Sequence, residues 1–335
     1  MKIKAFLFSA VFMSFISFAF GETSGYLSFD YVKSQEEGVF SEGTFHNVRL
    51  GIVFSGEIIP EIGYLSEVRF EEGFSIEMEQ AWIAFRPSHA FNLKLGLYLV
   101  PFGKYNQSNR AHQTLLINSP LSVENFYPFQ WSDMGVLLEG KFNRIFYSVY
   151  LGNGLSEEEW LSSGEQFQDN NADKGKGGRI GLFLSQGFEI GYSYYKGKFD
   201  DENNRNLTLR GGDLTWELGG LQILSEYTWV EAENPESFSN GDGKGYFVQL
   251  SFPIKNFRPF LNYQYLKYED LFHGRGFLDH YNKGEGISLE KSRWALGVVF
   301  IVSDSVFLKL EYDINEEENK ELKDNSLSIQ AALGF

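Results

Sequence analysis

Charged side chains recur inside stretches that otherwise alternate apolar and polar residues. The bases are Arg49, Arg69, Lys94, Arg144, Arg179, Arg210, Arg258, Arg293 and Lys309. The acids are Glu67, Glu77, Glu79, Glu139, Glu189, Asp213, Glu226, Glu311 and Asp313. Alternation of this kind reads as β-strand, where successive side chains point to opposite faces. Were the apolar face turned to lipid, a lysine or arginine on it would cost about 2–4 kcal/mol at the bilayer midplane. These charges are therefore expected to face water or to pair. They balance in sign, so the chemistry they offer is a hydrated wall of mixed charge, suited to ions and small hydrophilic solutes.

A second group lies between alternating stretches. Residues 103–132 carry Lys104, Arg110, His112 and Glu124, several amides and Ser119-Pro120, and form the longest connection in the chain. Long loops within compact domains are usually functional. We expect this segment to fold inward as a constriction, with Lys104, Arg110 and His112 facing the opposing wall.

Other chemistry is thinly supported. There is no cysteine, which removes thiolate metal sites and thiol catalysis. No HExxH, phosphate-binding loop or nucleophile elbow occurs. Gly211-Gly212 lies within an alternating stretch rather than ahead of a helix. His273, Asp279 and His280 could hold a metal, but a solvated loop is the simpler reading. No enzyme activity, cofactor or metal is expected.

The elements that position the charged residues are sixteen short alternating segments, near 24–33, 45–55, 61–70, 74–85, 91–102, 133–141, 144–152, 178–185, 188–198, 206–217, 221–231, 244–253, 257–268, 291–302, 305–313 and 325–335. Gly211-Gly212 shifts the alternation in its segment and predicts a bulge. Every second connection is a tight turn and most of the others are long and charged. An even number of antiparallel strands with this loop asymmetry is the pattern of an all-β, up-and-down transmembrane barrel with short periplasmic turns and long extracellular loops. Sixteen strands would enclose an aqueous channel. Trp82, Tyr98, Tyr192, Tyr194, Trp216, Trp229, Tyr263, Tyr265, Trp294 and Tyr312 mostly lie toward segment ends, where amphipathic rings would form interfacial girdles.

The N-terminus reads as a targeting segment. Lys2 and Lys4 precede an apolar run from Ala5 to Phe20, followed by Ala19-Phe20-Gly21 with small residues at the positions a signal peptidase reads. Residues 1–21 are expected to be removed, leaving 22–335 as the barrel. That places the chain in a bacterial outer membrane, with lipid and lipopolysaccharide as its surroundings.

The net charge is −16, which excludes general nucleic-acid binding. Acids such as Glu157-Glu158-Glu159 and Glu316-Glu317-Glu318 fall in the long connections and account for essentially the whole imbalance. The extracellular mouth is expected to be acidic and the wall balanced. An acidic mouth concentrates cations within a Debye length of about 8 Å. Passive diffusion with weak cation preference or little selectivity follows; a structural or adhesive barrel is the alternative from another class.

Residues 79–152 resemble the porin O and P group, the phosphate-selective porins. The matching stretches are Glu79-Gln80-Ala81-Trp82-Ile83, Lys94-Leu95-Gly96-Leu97-Tyr98-Leu99-Val100-Pro101-Phe102-Gly103, Trp131-Ser132-Asp133-Met134-Gly135-Val136 and Leu151-Gly152-Asn153-Gly154-Leu155. Pro101-Phe102-Gly103 is the most specific. The resemblance implies a sixteen-stranded, often trimeric outer-membrane channel whose third loop narrows the pore. It also implies that the C-terminal strand, ending at Phe335, is read by the barrel-assembly machinery. Phosphate selectivity does not carry over, because it rests on clustered basic residues, whereas this wall is balanced; a local ladder of Arg49, Arg69, Arg210 and Arg293 is the form an anion path would take.

Overall fold

A computed structural model describes residues 21–274, 289–318 and 322–335. All but the last residue of the expected signal segment, and the Asp279–His280 pair, lie outside the described residues.

Sixteen antiparallel strands close on themselves: β1 (Glu22–Ser34), β2 (Thr44–Ile59), β3 (Ile62–Glu71), β4 (Ile76–Ser88), β5 (Phe91–Leu99), β6 (Ser132–Phe142), β7 (Ile145–Gly152), β8 (Gly175–Ser185), β9 (Phe188–Lys198), β10 (Asn206–Leu218), β11 (Leu221–Ala232), β12 (Gly241–Ser251), β13 (Phe257–Asp270), β14 (Glu290–Ser303), β15 (Val306–Glu317) and β16 (Ser326–Gly334). Each pairs with its sequence neighbours, and β1 meets β16 with Tyr26 opposite Gly334. Closure leaves no sheet edge unpaired, the condition a lipid environment imposes on strands. A short helix, α1 (Leu121–Phe126), lies in the connection between β5 and β6.

Local chemistry explains the tight turns. Gly219 and Gly220 join β10 to β11 with φ of 57° and 93°. Two successive positive φ values give a hairpin turn matched to strand twist, and glycine adopts them without steric cost. β5 stops at Leu99 because Pro101 has no N–H for the ladder. Several strands run past the expected limits at the long-loop end. Glu71, Glu231, Asp242, Glu269, Asp270, Glu290, Glu316 and Glu317 therefore stand on strand ends, although the sequence pattern assigns all but Glu231 to loops.

Two corrections concern register. No bulge occurs at Gly211-Gly212: Arg210, Gly211, Gly212 and Asp213 pair in unbroken sequence with Trp229, Thr228, Tyr227 and Glu226. Among several register shifts in the barrel, one lies between β3 and β4, where Glu67 opposes Gln80 and Val68 opposes Met78, so that Glu79 is extra and both Glu79 and Gln80 are buried.

Apolar side chains occupy two regions. An outward band includes Phe29, Ile83, Leu95, Ile180, Leu296 and Leu310, all exposed on the single chain. A second cluster lies inside the barrel and joins Phe102, Phe126, Tyr127 and Trp131 to Tyr195, Leu207, Leu209, Val230, Phe247 and Leu266 of the inner wall. The interior is thus partly packed rather than aqueous throughout. The apolar residues of 100–131 meet a matching inner face on β9–β13, and burying both is favourable. Trp82 and Tyr98 belong to the inside and not to a girdle. Trp82 Nε1 donates to Gln80 at 3.2 Å, and Tyr98 is 1% exposed against Tyr150.

Candidate functional site: the inner wall and the loop folded into it

The connection 100–131 enters the barrel at Pro101-Phe102-Gly103. Gly103 has φ of 65°, and its N–H donates to Ser193 Oγ of β9 at 3.0 Å. The next two backbone N–H groups, of Lys104 and Tyr105, both donate to the Glu226 carboxylate of β11; the Lys104 bond is 2.7 Å. Farther along, the N–H groups of Ile117 and Asn118 donate to Glu311 of β15 at 2.8 and 3.1 Å. Asn118 Nδ2 reaches Asp313 at 2.7 Å. The N–H of Leu121, the first residue of α1, donates to Gln264 of β13 at 2.9 Å. Two wall carboxylates thus each take two successive backbone donors, the charge-assisted bonds that hold a segment firmly.

Small residues make room. Gly243 and Gly245 of β12 face inward, and a methyl group placed on them would meet the Phe126 ring at 2.9 Å and Ser122 Cβ at 3.0 Å. Gly211 of β10 stands against Phe102 in the same way at 3.1 Å. Lys309, 2% exposed, has Nζ 3.4 Å from both Leu116 O and Thr114 Oγ1.

The four loop residues singled out from sequence each meet a different part of the wall. Lys104 Nζ lies 3.0 Å from Glu189 on β9. Arg110 forms a two-pronged ion pair with Glu67 on β3, with Nε to Oε1 at 2.8 Å. Glu124 pairs with Arg293 of β14 at 3.1 Å. His112 stacks near Tyr26, with centroids 5.7 Å apart. Burial, together with the cations Arg110 and Lys309, lowers the affinity of His112 for a proton. The four do not converge on one point.

Apart from the β14–β15 charges that meet the loop, the paired wall charges form three groups. On β2–β4, Arg69 contacts Glu71 at 2.9 Å, Glu77 at 2.5 Å and Glu79 at 2.8 Å, and also Gln130 of the loop. Arg49 bonds Asn47 at 2.8 Å, lies 3.9 Å from Glu71, and stands 4.7 Å over the Phe129 ring. On β8–β10, Arg179 bridges Asp213 at 2.5 Å and Glu189 at 3.0 Å. On β5 and β6, Lys94 pairs with Glu139 at 2.7 Å and lies 4.8 Å over Trp82. Arg258 lines a cavity of about 190 Å³ with Lys104, Thr215, Glu217 and Gln249.

Arg210 is a correction. With no bulge in β10, it has the opposite parity to Asp213 and points outward, its guanidinium 4.3 Å over Trp229. The four-arginine ladder therefore loses this member. Arg144 stands exposed in the β6–β7 turn, bonded to Leu184 O, and not on the wall. Sequence reasoning names Glu226 and Glu311 as wall acids but misses that they hold backbone donors of the loop. The signal for a docked loop is present in Gly241, Gly243 and Gly245, which empty one face of β12 at period two.

Open space remains around the loop. A cavity of about 820 Å³ toward the short turns is lined by Glu57, Arg86, Asn92, Gln107, Glu139 and Arg179, among others. Another of about 540 Å³ is lined by Tyr26, Glu67, Arg110, His112 and Phe335, among others.

Comparison with solved structures gives the same architecture. An anion-selective porin from Comamonas acidovorans superposes with a TM-score of 0.67 at 9% identity, over 94% of this chain and 99% of that one. The fold is that of the outer-membrane porins. OmpF of Salmonella typhi, solved with daunomycin, gives 0.67 at 11% identity, over 94% and 97% of the two chains. The outer-membrane channel DcaP of Acinetobacter baumannii gives 0.65 at 13%, over 94% and 96%. No protein-family pattern matches the chain. An uncharacterized protein of Aquifex aeolicus (strain VF5) is 24% identical over 198 residues, 52% of this chain. The porin-fold chain spans 45% of that relative's length.

Proposed function

We propose that the protein is an outer-membrane channel for passive diffusion of ions and small hydrophilic solutes. The observation that carries this reading is the loop 100–131 inside a closed sixteen-stranded barrel, tied to β9, β11, β13 and β15 by hydrogen bonds. A segment so fixed leaves a narrow path of constant shape. Its cross-section is reduced further by the apolar packing on the β9–β13 side, which directs solute toward the open, charge-lined spaces beside β4–β8 and beside β1–β3. Along those spaces most cations already have carboxylate partners, so the throat carries little net field. The acids at the long-loop end then set a weak preference for cations.

Anion selectivity is the second reading, and the partly exposed guanidinium of Arg49, stacked on Phe129, favours it. The two are separated in planar bilayers. Purified protein should give discrete conductance steps, and their absence would overturn the channel reading. Reversal potential under a KCl gradient should lean slightly to cations; a clear anion preference would transfer control to Arg49 and Arg69. Cross-linking in native membranes tests the homotrimer that the porin resemblance implies.

A further inference from the structure

We propose that the outer wall carries a site for a phosphorylated lipid headgroup, formed by Lys176 and Lys196. Lys176 is the second residue of β8, at its long-loop end, and Lys196 lies two residues before the end of β9. The register sets them directly opposite one another. Their faces are fixed by their neighbours: Arg179 and Tyr195, of opposite parity, point inward and are 5% and 0% exposed. Two like charges directly opposed on one face of an antiparallel pair lie about 4.5–5.5 Å apart at Cβ and repel. Neither lysine joins a salt bridge among the described residues.

Arg210 adds positive charge beside the pair without joining it. On β10, Thr208 opposes Lys196, and Arg210 follows two residues deeper on the same face. Its guanidinium stacks on Trp229 of β11, on the side away from Lys196. The nearest outward acid in the Lys196 row is Glu231, beyond Thr208. The cations next along the belt differ, because Lys267 is paired with Glu290 at 2.8 Å and Lys244 with Glu269. Unpaired positive charge is thus confined to β8–β10 on this stretch of the belt. Deeper on the same strands and face, beyond Gly178 and Tyr194, lie Ile180 and Tyr192, 56% and 49% exposed.

Cations above an aromatic and aliphatic belt fit an amphiphile with an anionic head and acyl chains. A phosphate set between Lys176 and Lys196 turns their repulsion into a bridge, and Arg210 adds a favourable longer-range field. The occupant is a phosphorylated glycolipid of the leaflet on the long-loop side. This inference rests on the orientation of the barrel and not on conduction, so a failure of either leaves the other standing.

The test is native mass spectrometry of the folded full-length barrel in detergent, titrated with bisphosphorylated and monophosphorylated lipid A. Folding is checked by heat-modifiable migration. Wild type should bind the bisphosphorylated form more tightly. Lys176→Gln with Lys196→Gln should weaken that binding about ten- to thirtyfold and abolish the difference between the two lipids. Lys244→Gln, at a cation already paired, should leave binding unchanged. Equal binding of both lipids by wild type, or unaltered binding by the double variant, would overturn the proposal. Displacement of the lipid by millimolar inorganic phosphate would overturn the lipid assignment in favour of a free-anion site. Single-channel conductance of the double variant should equal that of wild type.

Discussion

The carboxylate of Glu311 on β15 accepts the backbone N–H of Ile117 at 2.8 Å, across 194 residues of chain. The same group also holds Asn118, so one wall side chain fixes the far end of the inserted loop. Glu311→Ala removes both acceptors. With each charge-assisted bond worth about 1.5–3 kcal/mol, the loop should detach locally while the barrel stays closed. Single-channel recordings should show a larger and noisier conductance. An unchanged trace would mean that the remaining contacts hold the loop without Glu311.

Gly243→Val approaches the same loop from the other side. The added side chain would enter the Phe126 ring, which stands 2.9 Å from the point a Cβ at this position would occupy. Overpacking of this kind costs about 1–3 kcal/mol. Because β-branched residues favour strands, β12 itself should form normally. Heat-modifiable migration should persist, with a modest loss of midpoint, while conductance rises. Loss of folding would locate the cost in the strand and not in the loop.

How far these relationships can be read from sequence differs by kind. Strand positions follow from period-two patterning, a local property, and segments such as 188–198 are placed correctly by it. Which face a charge occupies is legible only where its neighbours mark parity. Arg210 escapes such a reading because Gly211-Gly212 carries no side chains to set the alternation. At Glu79-Gln80 both residues are polar, so the register shift there leaves no trace in hydropathy. The loop anchors depend on contacts such as Glu226 with Tyr105, 121 residues apart, which no local pattern encodes. The composition of β12 is the exception, since three glycines at alternate positions anticipate a close neighbour.

Arg69 is the hub of the β2–β4 charge group. Arg69→Ala leaves Glu71, Glu77 and Glu79 without their common partner. Removing one side of a buried ion pair costs about 3–5 kcal/mol. The urea midpoint of the folded barrel should fall, and the reversal potential under a KCl gradient should move toward stronger cation preference. Arg69→Lys should restore charge but not the multiple contacts, recovering selectivity more than stability. A reversal potential indifferent to both substitutions would remove this cluster from the conduction path.

The loop between β7 and β8 supplies the pH-dependent prediction. Glu165 accepts the N–H of Ser132 at 2.7 Å, and burial pushes its pKa up to about 7. An acid whose folded pKa lies above its unfolded value binds its proton more tightly when packed. Its contribution to packing is therefore complete below the unfolded value, near 4.5, and is lost as pH rises through 7. Hydrogen exchange across residues 155–165, corrected for intrinsic rate, should be slower at pH 5.5 than at pH 8, values chosen to bracket that pKa. Glu165→Gln keeps an acceptor without the charge and should show the slow rate at both. If the variant retains the wild-type pH dependence, another group governs the loop, and the burial of Glu165 has no consequence for its closure.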